Sequence, residues 1–198
     1  NREELSVLVV GLGNREITPD ALGPRVADNM MITRHVIREF GKYALGAEHS
    51  NLISSIVPGV MAQTGMESLE IIRGVIRETE PDCIVAVDAL AARSVKRLNR
   101  TIQITNTGIN PGSGVGNHRH GLNRESVGIP VIAIGVPTVV DAATIVNDAI
   151  SGYYEEVDCT LNSFFVTPKD IDESIKRLSF TISEGLNLAF EKTACTNS

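Results

Sequence analysis

Apolar residues fall in short runs punctuated by glycine and proline, and two kinds of run alternate along the chain. Residues 5–10 form an apolar stretch closed by Gly11-Leu12-Gly13-Asn14, the pattern of a buried strand ending in a turn. Over residues 24–40, Val26, Met30, Val36, Ile37 and Phe40 recur near helical spacing and Gly41 stands as a stop signal, so one helix is expected there. The alternation repeats with a strand at 52–57, a break at Pro58-Gly59, a helix at 68–79 and a second buried strand at 83–87. Further strands are expected at 101–105 and 131–134.

Thr138, with Asp141 three residues on, has the spacing of a capping box, which predicts a helix just after Thr138. Thr167-Pro168 predicts the start of the last helix, with Thr as N-cap and Pro at the first helical position. Strands alternating with helices imply an α/β fold, a three-layer α/β/α sandwich around a mostly parallel sheet. Residues 106–128 make a long loop, and loops of that length within a domain carry function or lack order. Residues 151–162 are polar and read as a helix tail or surface excursion, and 192–198 as a frayed tail.

Composition sharpens this picture. The chain has 198 residues, 42% hydrophobic, with aromatics at only 4% and no Trp, so its core must be built from Ile, Val, Leu and Ala, which suits strands buried between helices. One domain spanning 1–198 is expected. A net charge of -6 without a Lys/Arg cluster argues against direct nucleic-acid binding. No apolar stretch reaches the length of a membrane span. Three cysteines, Cys83, Cys159 and Cys195, lack the spacing of a zinc site or a disulfide framework and fit a reducing cytoplasm. No leader or N-terminal propeptide is evident before Asn1.

Ligand sites in open α/β sheets lie beyond the carboxyl ends of the strands, so the loops that follow strands are where chemistry is expected. Asp20 lies in the loop after the first strand, and Asp88 comes directly after the strand at 83–87. Each acid alone also suits a capping role. Together on one rim, one could hold its proton as acid while the other activates water for attack on a peptide carbonyl. The same pair could instead bind a divalent metal.

The run from Pro111 through Gly112, Ser113, Gly114 and Gly116 to Asn117 would expose backbone N–H groups able to polarise a carbonyl, or form a plain glycine loop. Gln63 and Thr64, in the rim segment that begins at Pro58, could hold substrate backbone. His118 and His120 are spaced for a metal but equally suit an exposed loop. Gly11-Leu12-Gly13 fails as a dinucleotide motif, because Glu16 stands where the third glycine belongs. Asp141 reads as a helix-start residue.

Five blocks in order resemble the germination protease family: Gly11-Leu12-Gly13-Asn14 with Thr18-Pro19-Asp20-Ala21-Leu22-Gly23-Pro24; Pro58 to Gly65; Val87-Asp88-Ala89-Leu90-Ala91-Ala92-Arg93-Ser94; Thr107 to Asn117; and Ile134 to Ala142. The likeness extends to Val166-Thr167-Pro168-Lys169. It implies an atypical aspartic-type endopeptidase with Asp20 and Asp88 as its essential acids. Asn14, Gln63, Thr64, Gly112, Ser113 and Gly114 are expected to bind substrate, and no cofactor is expected.

Family members are made as zymogens, assemble as homotetramers and digest small acid-soluble spore proteins in the spore core during germination. The implied fold is phosphorylase/hydrolase-like and shared with the hydrogenase maturation endopeptidases, which also place an acid six residues after a Gly-x-Gly-Asn turn. That similarity implies a rival, metal-dependent mechanism, with Asp20, Asp88 and His118 or His120 as ligands. Two further alternatives stand beside it: a module that binds peptide without cutting it, and a nucleoside- or phosphate-binding enzyme of the same broad fold.

Overall fold

The computed structural model describes residues 4–45, 51–112, 120–150 and 159–191. In chain order the elements are β1 (Ser6–Gly11), α1 (Leu22–Asn29), α2 (Arg34–Phe40), β2 (Leu52–Ile56), α3 (Met61–Thr64) and α4 (Ser68–Thr79). There follow β3 (Cys83–Ala92), β4 (Gln103–Thr105), α5 (Arg124–Val127), β5 (Val131–Asp141), α6 (Ala142–Ile150), β6 (Phe165–Val166) and α7 (Ile171–Phe190).

The strands form one sheet in the order β2-β1-β3-β5-β4, with β6 also paired to β5. The four longer strands run parallel, whereas the short β4 and β6 are antiparallel to β5. Alternating side chains send Val7, Val9, Val85 and Val87 into a cluster with Leu22 and Val26 of α1 and Ile171, Ile175 and Ile182 of α7. Their neighbours Leu8, Val10, Ile84 and Ala86 pack instead with Leu69 and Ile72 of α4. Helices therefore cover both faces of an almost wholly aliphatic sheet. This is the expected α/β, mostly parallel three-layer arrangement.

The helix at 68–79 and the strand boundaries near 52 and 131 fall where the periodicity put them. Four expectations are corrected. The single helix over 24–40 is two, because the Thr33 N–H donates to the Ile53 carbonyl (3.1 Å) and the Thr33 hydroxyl accepts the Ile53 N–H (2.9 Å). Those bonds to β2 take the chain out of helical geometry between α1 and α2. Second, Thr138 opens no helix: it lies within β5, 1% exposed, and the helix begins four residues later at Ala142.

Asp141 nevertheless does the capping, its Oδ1 accepting the Thr144 N–H and its Oδ2 the Thr144 hydroxyl, both at 2.7 Å. Third, Thr167 is not the cap of the last helix. Its hydroxyl donates to the Thr138 carbonyl (3.0 Å), and α7 starts at Ile171 after a turn from the Pro168 carbonyl to the Ile171 N–H. Fourth, the strand expected at 83–87 continues to Ala92.

Candidate active site

Glycine geometry builds the first half of the site. A Cβ on Gly23 would lie 2.3–2.6 Å from the Leu12 carbonyl oxygen, the Leu12 nitrogen and the Val87 carbonyl oxygen. One on Gly11 would come as close to the Gly23 carbonyl. Only two facing glycines let the start of α1 press directly onto the ends of β1 and β3. Gly13 has φ +115°, and a Cβ there would sit 2.1 Å from the Asp20 carbonyl oxygen. The turn after β1 therefore folds back onto itself and brings Asp20 over the backbone that follows the strand.

Asp20 ends a single 3-10 turn, Thr18–Asp20, entered through Pro19. Its N–H donates to the Ile17 carbonyl (2.8 Å), and its Oδ2 accepts the Asn14 N–H at 2.7 Å. The Thr18 hydroxyl donates to Asp172 Oδ1 at 3.0 Å, tying the turn to the first turn of α7. The turn also lies within 8 Å, Cα to Cα, of both β3 and β5. The carboxylate is thus carried on a short loop braced at both ends.

Asp88 is positioned differently from the expectation. It does not follow a strand but lies inside β3, paired in register with Gly135 of β5. On the other side, β1 makes its last pairing at Gly11 with Val87, and the Leu12 N–H donates to the Val87 carbonyl at 2.8 Å. Asp88 is therefore the first residue of β3 that β1 no longer accompanies. Its side chain is 3% exposed, and Oδ1 accepts the Ala89 N–H at 3.0 Å. Gly23 touches the Val87 carbonyl, so the backbones of both acids converge on one end of the β1–β3 pair.

Asn14 and Gln63 are brought together: Asn14 Oδ1 accepts from Gln63 Nε2 at 3.4 Å and from the Glu16 N–H at 3.0 Å. Gln63 lies on the short helix α3 rather than in the loop expected from Pro58 on, and its side chain reaches the turn that carries Asn14 and Asp20. Thr64 is engaged in its own turn, its hydroxyl accepting the Met66 N–H at 3.2 Å. Gly112 takes a left-handed conformation, φ +70°. Ser113, Gly114 and His118 lie outside the described residues. The base of the long loop is pinned by paired backbone bonds between Ile109 and Leu122, with Leu122 1% exposed.

His120 Nδ1 is 2.7 Å from Glu67 Oε2, so this imidazole is engaged with the residue that precedes α4. Among the described residues, no three His, Cys, Asp or Glu side chains are grouped as a metal ion requires. A cavity of about 620 Å³ opens between α1 and α7, lined by Arg15, Arg25, Asp28, Glu173, Lys176 and Arg177 among others. Neither rim acid lines it. Sequence reasoning gave no role to Gly23, which it quoted only within the Thr18–Pro24 block.

A buried, mostly parallel aliphatic sheet covered by helices on both faces defines an α/β protein. The family model for germination protease matches residues 1–156. A germination protease of Caldanaerobacter subterraneus subsp. tengcongensis is 44% identical over 220 residues, spanning 96% of this chain and 67% of that protein. One of Bacillus velezensis is 55% identical over 148 residues, spanning 75% of this chain and 40% of that protein. The chain belongs to the germination protease family, and it spans about two thirds of the length of the first of these relatives.

Among solved structures, a [NiFe] hydrogenase maturation protease from Thermococcus kodakarensis matches with TM-score 0.44 at 19% identity, covering 92% of this chain and 93% of that one. A hydrogenase 3 maturation protease matches with TM-score 0.43 at 15% identity, covering 96% and 94%. Among the described residues no helix is long and apolar enough to cross a membrane.

Proposed function

We propose that this chain is the endopeptidase core of a germination protease and that Asp20 and Asp88 activate the water that cleaves the peptide bond. The observation that carries this reading is the convergence of the two acid-bearing segments on the spot where β1 leaves β3. The ionised acid takes a proton from water as the water oxygen attacks the scissile carbonyl. The protonated acid donates to the carbonyl oxygen and, on collapse of the tetrahedral intermediate, a proton passes to the departing amine.

One acid serves as base and the other as acid; a backbone N–H holds each carboxyl group, that of Asn14 on Asp20 and that of Ala89 on Asp88. Gln63 and Asn14, joined across the rim, are placed to hold substrate backbone beside them. As the family resemblance implies, the substrates are small acid-soluble spore proteins, the setting is the spore core, and the assembly is a homotetramer. The test is cleavage of a small acid-soluble spore protein by Asp20→Asn and Asp88→Asn in the full-length, processed protein. Near-native turnover by either variant removes that acid from the mechanism. Loss of wild-type activity to a chelator, restored by a divalent ion, makes the acids metal ligands instead.

A further inference from the structure

β1 and β3 are parallel neighbours of unequal length. Their pairing ends at Gly11 and Val87, after which β1 turns away through Gly13, while β3 runs on through Ala92 with β5 alongside. Asp88–Ala92 therefore has a ladder on one edge and no strand on the other among the described residues. The direction of each peptide group on that edge can be read from its neighbours.

The Val87 carbonyl faces β1, since it accepts the Leu12 N–H, and the Ile84 N–H faces β5, since it donates to the Pro130 carbonyl (3.0 Å). Peptide groups alternate along a strand, and the register shift in β3 falls later, between Leu90 and Ala91. Ala89 is thus in phase with Val87, and its N–H and C=O face the edge that β1 has vacated. That N–H is met by the Asp88 carboxylate, Oδ1 at 3.0 Å, a local substitute for the missing strand.

We infer that substrate binds as an added strand on this edge, an extended polypeptide whose backbone pairs with Ala89 in the line that β1 abandons. The inference rests on the peptidase reading above and states how the substrate is held. An extended chain is the occupant because only it presents N–H and C=O groups at strand spacing to an open ladder. The pairing lays the peptide directly beside Asp88. A substrate carbonyl takes over the Ala89 N–H and releases the Asp88 carboxyl group toward the bond to be cut.

Amide exchange in the Asp20→Asn protein, with and without a purified small acid-soluble spore protein, tests this. The Ala89 amide is expected to exchange at least about tenfold more slowly at saturating substrate, while Val85 and Ala86, already inside the ladder, stay unchanged. Unchanged exchange at Ala89, whether the spore protein binds elsewhere or not at all, overturns the inference. In the same background Ala89→Pro, which removes the N–H, should weaken binding at least tenfold, and Ala89→Gly, which keeps it, should bind normally. If the proline variant does not fold, the exchange measurement alone decides. Cleavage by the wild type without protection at Ala89 leaves the peptidase reading standing and removes the strand pairing. Protection without cleavage does the reverse.

Discussion

β1 and β3 lie side by side and look alike as sequence, two aliphatic runs leading to small residues, yet one stops at Gly11 and the other continues to Ala92. β1 stops because Gly13, at φ +115°, turns the chain back so that Asp20 packs on its own loop. β3 continues because β5, itself running from Val131 to Asp141, offers it a partner all the way to the Ala92–Val140 pairing. The step between a strand that is left and one that is accompanied makes the notch in which Asp88 lies. The rim here is a difference in strand length, and Asp20 and Asp88 lie on either side of it.

The largest expected effect comes from removing the two acids proposed to activate water. Asp20→Asn and Asp88→Asn should each lower kcat by roughly 10²–10⁴-fold with little change in the melting temperature, measured on a small acid-soluble spore protein. A loss in both activity and melting temperature for Asp88→Asn would assign that buried acid to the fold instead. Next comes the contact that fixes where β1 ends. Gly23→Ala places a methyl against three backbone atoms and should destabilise by about 2–4 kcal/mol in denaturant titration. Gly74→Ala, on α4 with nothing within 4 Å of the added carbon, should stabilise by about 0.5–1 kcal/mol. Equal effects at the two glycines would mean that the rim is not set by backbone contact.

A smaller effect is expected at the tether on the β1 side. Thr18→Val deletes the hydroxyl that holds the turn to Asp172 and should cost about 0.5–1.5 kcal/mol of stability. It should also lower kcat more than it raises KM, since the turn carries Asp20 rather than the substrate. The smallest concerns the foot of β3, where Cys83 pairs with Val7 and burial pushes its thiol up from the ordinary range. A folded-state pKa above the unfolded one means that the folded chain keeps the proton. Its contribution is complete below the unfolded thiol range of about 8.5 and is lost as pH rises through the folded value. The stability difference between wild type and Cys83→Ala should therefore be flat below about pH 7.5 and move against the wild type above about pH 9, in urea titrations across pH.

The turn that carries Asp20 was legible because local signals fix it: an apolar run, a Gly-Leu-Gly-Asn turn and a proline-led turn all fall within residues 5–20. α4 was legible for the same reason, its apolar period and its ends lying within its own segment. Asp88 was found as a residue but not as a position, since the sequence near it reads as a strand ending at Val87. The apolar period over 24–40 and the capping spacing at Thr138 misled in a related manner. The first is interrupted where Thr33 bonds to Ile53 of a strand far along the chain, and in the second Thr138 lies inside β5, which pairs with β3 on either side of it.

The sequence by itself determined the alternation of strands and helices, the aliphatic core and the turn that carries Asp20. Tertiary structure alone decided that β3 outlasts β1, that Asp88 lies within a strand and that Ala89 faces an edge with no strand on it among the described residues. Strand length depends on which partner is present across the sheet, and inter-strand hydrogen bonds join residues scores of positions apart. No local period or capping pattern encodes where such a partner ends.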